Sequence, residues 1–214
     1  MVWTPKARME KLRWLLMERE TSNYRNLQIQ KFLFFNEMFN KLHGKQYDIS
    51  SLRAYENGPV FSNTYGDLIH EEDEFYDELK KVEINLTPEE IDNMKRSECI
   101  IKTLTDYELS ELTHHLDLWK SKEERIANGE RQIPIEDSDI SEQDMKKISQ
   151  LYDLYEGMDD KEIIEISDKR YVISKEDMSK LTNEHTEVLD KLSVHENLIN
   201  PVYVSIEDGV LMID

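Results

Sequence analysis

Cysteine is nearly absent. Cys99 is the only one in 214 residues, so the chain can form no internal disulfide and no cysteine-based zinc cluster. A reducing cytoplasm fits that composition. Also missing is any apolar run of the length that crosses a bilayer. The opening residues, MVWTPKARMEKLRW, lack the unbroken apolar centre of a signal peptide. The expected location is therefore cytoplasmic. No Gly-rich phosphate loop, nucleophile elbow or HExxH helix occurs. There are no internal repeats and no low-complexity linker.

Positive charge is scarce beyond residue 70. Residues 1–70 carry 10 Lys/Arg against 7 Asp/Glu, whereas residues 71–214 carry 17 against 39. The first stretch is thus +3 and the second −22, for a net charge of −19. Nucleic acid would be repelled by most of this surface. A basic protein partner would be steered toward it. Solubility alone also accounts for acidic charge.

What is present is organised around residues 27–65. Leu27, Ile29, Phe32, Leu33, Phe34, Phe35, Met38, Phe39 and Leu42 cover roughly 260° of a helical wheel at 100° per residue. Gln30, Glu37 and Lys41 form the clearest polar stripe. A helix apolar nearly all round must be buried nearly all round, so other helices should pack about it. His43-Gly44 ends it, with Gly44 suited to a left-handed cap. A short extended run, Leu52 to Glu56, leads to Asn57-Gly58-Pro59. Gly58 permits a turn that a Cβ resists, and Pro59 suits the first position of a following helix running toward Ile69.

The other elements follow from caps and periodicity. Thr4-Pro5 opens a first helix with Met9, Leu12, Leu15 and Leu16 on one stripe. Residues Thr21 to Asn26 should turn into the central helix. Thr87-Pro88-Glu89-Glu90 is a capping box, Thr105 to Glu108 repeats it, and Ser141 can cap a further helix stopped at Gly157. Asn128-Gly129 marks a turn. From Asp159 the texture changes. Glu162 to Ile166 and Arg170 to Ser174 alternate around a turn, Ser174 to Leu192 is expected to be a helix, and Val202 to Ile206 with Val210 to Ile213 flank Glu207-Asp208-Gly209 as a second hairpin. The expected fold is mainly α, in the α+β class. A helical domain over residues 1–158 packs around the central helix and carries one short strand before the Gly-Pro turn. A small hairpin-helix-hairpin appendage follows over 159–214, as a separate lobe or an extension of the sheet holding Leu52 to Glu56.

Three stretches carry a resemblance. They are NLQIQKFLFFNEMF from Asn26, SLRAYENGPVFSNTY from Ser51, and ELSELTHHLDLW from Glu108. Together, over about residues 5–158, they resemble the Panacea domain, the SocA-like antitoxin family. Phe34 and Phe35 stand where that family often has Tyr, and Glu71 to Glu78 is an acidic insertion. The resemblance implies a mostly helical, non-enzymatic domain that neutralises a toxin protein by direct contact, or as a proteolytic adaptor. Its motif residues here are Lys31, Tyr55, Gly58, Pro59, Thr113, His114 and Trp119, with structural roles expected.

Two other features are candidate sites. Glu71, Glu72, Asp73, Glu74, Asp77 and Glu78 make a dense anionic face, with Phe75 and Tyr76 as candidate anchors for a basic partner. The alternative is that both rings pin a solvated segment to the core. His114, His115 and Asp117 are the best metal candidate, but adjacent histidines diverge on a helix, and a histidine hydrogen-bonded near Trp119 explains His114 better. His185 and His195 have no evident ligand partners. Neither a catalytic constellation nor a cofactor is expected. The leading function is a cytoplasmic antitoxin with a protein partner, without membrane or direct nucleic-acid binding. The alternative is a phage or mobile-element acidic inhibitor of a defence nuclease.

Overall fold

The computed structural model describes residues 1–19, 24–195 and 197–214. The turn expected from Thr21 falls largely outside them. Helix accounts for 56% of the chain and strand for 15%, so the class is α+β with helix dominant.

The central helix α2 is Asn26–Leu42. Phe32, Leu33, Phe34, Phe35, Met38 and Phe39 have no solvent exposure. Helices α1 (Lys6–Arg13), α5 (Pro88–Thr103), α6 (Asp106–His114) and α9 (Glu142–Leu154) pack against it. Of the polar stripe, Gln30 and Glu37 are buried, whereas Lys41 at the end of the helix is partly exposed and pairs with Asp137. Gln30, Lys31, Asn36, Glu37 and Asn40 are buried along with the apolar residues. Most of them meet polar groups from distant chain segments. Lys11 Nζ lies 2.6 Å from Glu37 Oε1, Asn93 Nδ2 donates to Asn40 Oδ1 at 2.9 Å, and the Phe61 amide donates to Gln30 Oε1 at 2.9 Å. Buried polar groups are tolerable only when paired.

Strands β1 (Leu52–Tyr55) and β2 (Gly58–Phe61) form a tight hairpin, and β3 (Ile133–Pro134) pairs with the free edge of β1. Here an expectation is corrected. Pro59 lies inside β2, opposite Ala54, and the next helix α3 begins only at Ser62, running to His70. β2 is an edge strand, where a missing N–H does little harm. Thr4 is a second correction. It does not cap α1: its hydroxyl donates to the buried Asp67 Oδ2 at 2.7 Å, and Pro5 occupies the cap position. The capping boxes at Thr87, Thr105 and Ser141 are all formed, and Gly44 and Gly157 take positive φ as helix stops.

Helix α4 spans Glu72–Lys81. After α6 come the short helices α7 (Asp117–Lys120) and α8 (Glu123–Ala127). The C-terminal strands β4 (Lys161–Ile166), β5 (Lys169–Ser174), β6 (Val202–Glu207) and β7 (Val210–Ile213) form their own sheet in that order, separate from the β2-β1-β3 sheet. The helix expected from Ser174 to Leu192 is broken in two, α10 (Lys175–Met178) and α11 (Asn183–Ser193), because the Thr182 hydroxyl caps a fresh start by accepting from the His185 amide. Strand alternation lets β5 serve two cores. Val172 joins the main one, while Tyr171 and Ile173 face a smaller cluster with Leu189, Val202, Val204 and Ile206.

Candidate functional site

The three motif stretches converge on one place. Lys31 projects from the middle of α2 and is 1% exposed. Its Nζ donates to Asn57 O at 2.6 Å and to Thr113 Oγ1 at 2.7 Å. The Thr113 hydroxyl in turn donates to Ser110 O on α6 at 3.0 Å. No carboxylate neutralises Lys31 among the described residues, and burial pushes its pKa down to about 7. Gly58 closes the β1–β2 turn with φ +102°. Trp119 on α7 donates its indole N–H to Tyr55 O at 2.9 Å. His114 stacks on the Trp119 ring with centroids 3.8 Å apart, and its Nδ1 lies 3.3 Å from Glu111 Oε1. Burial, then the nearby Lys31 charge, hold the His114 imidazole below its usual pKa. Lys31, Tyr55, Gly58, Thr113, His114 and Trp119 thus interlock α2, the hairpin and the α6–α7 corner, and Pro59 follows Gly58 in β2.

This assembly forms part of the wall and floor of a cleft of about 830 Å³. Lys31, Tyr55 and Trp119 line it, together with Asn26, Gln30 and Tyr65. The tyrosines 55 and 65 are in ring contact at 5.7 Å. From the sequence Gln30 reads only as part of a polar stripe, and Asn26 and Tyr65 do not read as site residues. The spacing of Asn26 and Gln30, four apart on one helix face, was the signal available.

The metal candidate does not assemble. His115 is exposed, and Asp117 Oδ2 accepts from the Ser141 hydroxyl at 2.6 Å. Among the described residues no cluster of three or more His, Cys, Asp or Glu is placed to hold a metal ion. His185 is spent on its own helix cap, with Nδ1 accepting from the Thr182 amide and Nε2 at 3.1 Å from Gly209 O.

The acidic segment is half as expected. Glu71, Glu72, Asp73 and Glu74 are exposed around the start of α4, where negative charge suits the helix macrodipole. Phe75 is the correction. It has no exposure and belongs to the main core, while Tyr76 is half-buried against it. The Phe75 ring therefore holds the acidic face on the protein and cannot anchor a partner. Asp77 and Glu78 pair within α4 with Lys80 and Lys81.

Compared with family models, curated proteins and solved structures, the chain gives no match. The Panacea-like reading rests on its three motifs.

Proposed function

We propose that this chain is an antitoxin-like protein that binds and neutralises a partner protein by direct contact. The observation that carries this reading is the convergence of the three motif stretches, distant in sequence, on one cleft floor. Lys31, Gly58 and Thr113 hold each other there, and Trp119 ties the same hairpin at Tyr55. The one amine–hydroxyl contact there, Lys31 with Thr113, is taken up by structure, since the Thr113 hydroxyl donates to Ser110 O. Lys31 bonds a carbonyl and a hydroxyl, and His114 is packed on an indole. The reading is accordingly non-enzymatic. The exposed carboxylates of residues 71–74 favour a partner with a basic surface.

The test is co-expression with the reading frame that neighbours it in its native genome, followed by titration of the two purified proteins. Relief of growth arrest together with a stoichiometric complex is expected. A neighbour that is not toxic, or a toxic one that neither binds nor is relieved, overturns the reading. Delivery to a protease is a variant of it, recognised by loss of the partner from cells over time. The acidic-inhibitor reading draws on the same exposed carboxylates. It predicts instead that DNA competes with this chain for a nuclease.

A further inference from the structure

The floor of the cleft contains a buried side-chain amide bonded at one end and, among the described residues, unpaired at the other. Gln30 is 2% exposed and lines the cleft. Its Oε1 is fixed by the Phe61 amide, which leaves Nε2 as the group pointing elsewhere, and Nε2 has no partner among the described residues. One helical turn earlier, Asn26 also lines the cleft, and its buried Oδ1 is likewise without a partner among them. A buried N–H donor or oxygen acceptor left unpaired costs about 1–3 kcal/mol, and of the unpaired buried side-chain atoms among the described residues these two are the ones on residues that line the cleft. Side chains four apart on a helix are neighbours, with Cβ atoms about 5–6 Å apart. One acceptor and one donor at that separation match the N–H and C=O of an extended peptide backbone.

The rim says which peptide. Glu56 and Glu123 both border the cleft, both are exposed, and neither forms an ion pair among the described residues. Glu130 is already held by Arg125. Lys31 lies buried in the floor and Arg131 is the one unpaired cation exposed on the rim among the described residues, so the exposed rim carries two unpaired carboxylates against one cation. Tyr55, Tyr65 and Trp119 supply aromatic walls that suit the stems of long cationic side chains.

We propose that the cleft receives a short extended peptide segment of a partner protein. Its main chain pairs with Asn26 Oδ1 and Gln30 Nε2, and Lys or Arg side chains reach Glu56 and Glu123. Lys31 works from beneath, fixing the Asn57 carbonyl and so the edge of the cleft next to Glu56. This inference deepens the protein-binding reading and rests on it for the identity of the partner.

The test uses the full chain and a random capped heptapeptide library displayed at constant copy. Selected peptides are then measured by fluorescence anisotropy. Enrichment of Lys- and Arg-containing peptides is expected. Gln30→Glu keeps an oxygen for the Phe61 amide and replaces the free amide donor; because it buries a carboxylate, binding is compared at a temperature where its melt shows it folded, and it should weaken the best peptide at least tenfold. Asn26→Ala should act in the same direction. Glu56→Gln with Glu123→Gln, both at exposed positions, should abolish the preference for basic side chains. No enrichment, or enriched peptides whose affinity ignores Gln30, Asn26 and both glutamates, overturns the proposal. The partner titration separates the two readings. A toxin bound equally by wild type and Gln30→Glu sinks the cleft and leaves the antitoxin. Gln30-dependent peptide binding by a chain that neutralises nothing sinks the antitoxin and leaves the cleft.

Discussion

A Cβ placed on Gly58 would lie 2.1 Å from Lys31 Nζ. The same atom would stand 2.4 Å from Thr113 Oγ1. The turn glycine and the end of the buried lysine side chain therefore compete for one space, and a side chain at residue 58 would have to displace both Lys31 Nζ and the Thr113 hydroxyl. Gly58 also sits at φ +102°, which a β-branched residue reaches only with strain. Gly58→Val should thus destabilise the fold by clearly more than about 1 kcal/mol, measured by urea denaturation. Lys31→Ala should relieve the overlap but not the backbone strain. The double variant is expected to lie between the two, closer to Gly58→Val than additivity predicts. A Gly58→Val protein as stable as wild type would refute the geometry.

Lys31 makes stability depend on pH in a direction that can be worked out. Its folded pKa is lowered from 10.5 to about 7 by burial. Between those values the unfolded chain binds a proton that the folded chain does not. Stability attributable to Lys31 therefore rises with pH across the window from about 7 to 10.5, with a slope of up to about 1.4 kcal/mol per pH unit. Below pH 7 the folded protein carries the full cost of a buried ammonium. The raised pKa values of Tyr152, Tyr155 and Tyr171 pull the other way at alkaline pH. The measurement is hence the difference between wild type and Lys31→Met, by denaturant midpoints from pH 6 to 10. The Met variant should be relatively most favoured at pH 6, and a difference flat in pH would contradict the assignment.

Phe35 tests the central helix. It is fully buried, edge-on to Phe34 at 5.3 Å and stacked near Phe39 at 6.4 Å. Phe35→Ala leaves a cavity the size of a ring and should cost on the order of 3–5 kcal/mol. Thermal and urea melts will show it, and a loss below about 1 kcal/mol would mean that the site collapses without cost.

The central helix was legible because its apolar residues leave almost no free arc. A wheel, however, assigns every polar residue outward by default. Gln30, Lys31, Glu37 and Asn40 defeat that default because their partners lie far along the chain, at Phe61, Thr113, Lys11 and Asn93. No local pattern announces such pairs. Pro59 was misplaced for a related reason: a proline after a turn suits a helix start and an edge strand equally, and only the pairing with Ala54 decides. Strand β3, of two residues, is too short for any periodicity to register. The motif residues were legible one by one, whereas their convergence on a cleft, and the unpaired amides of Asn26 and Gln30, exist only in three dimensions.

The acidic face gives a kinetic prediction. Glu71, Glu72, Asp73 and Glu74 are exposed, and among the described residues only Glu74 of the four is in an ion pair, with the Met1 amine at 2.6 Å. Charge of this kind acts mainly on encounter, raising the association rate at low salt. Glu72→Lys with Asp73→Lys and Glu74→Lys changes the charge by two units at each position. Association with a basic partner of the proposed kind should slow several-fold at low ionic strength and converge with wild type as salt rises, because screening shortens the field to about 8 Å at 0.15 M. Lysine in the first turn of α4 also opposes the helix macrodipole, at about 0.3–1 kcal/mol each. The neutral set Glu72→Gln, Asp73→Asn and Glu74→Gln is therefore the needed control, and it should show a smaller slowing with the fold intact. Dissociation should hardly change in either set, since the Phe75 ring below is core and not interface. Phe75→Ala is correspondingly expected to lower the melting temperature rather than to speed release of the partner. Stopped-flow association at several salt concentrations decides the matter. If both charge variants fold normally and associate at the wild-type rate at low salt, the partner approaches by another face, and the unpaired amides of the cleft become the place to look.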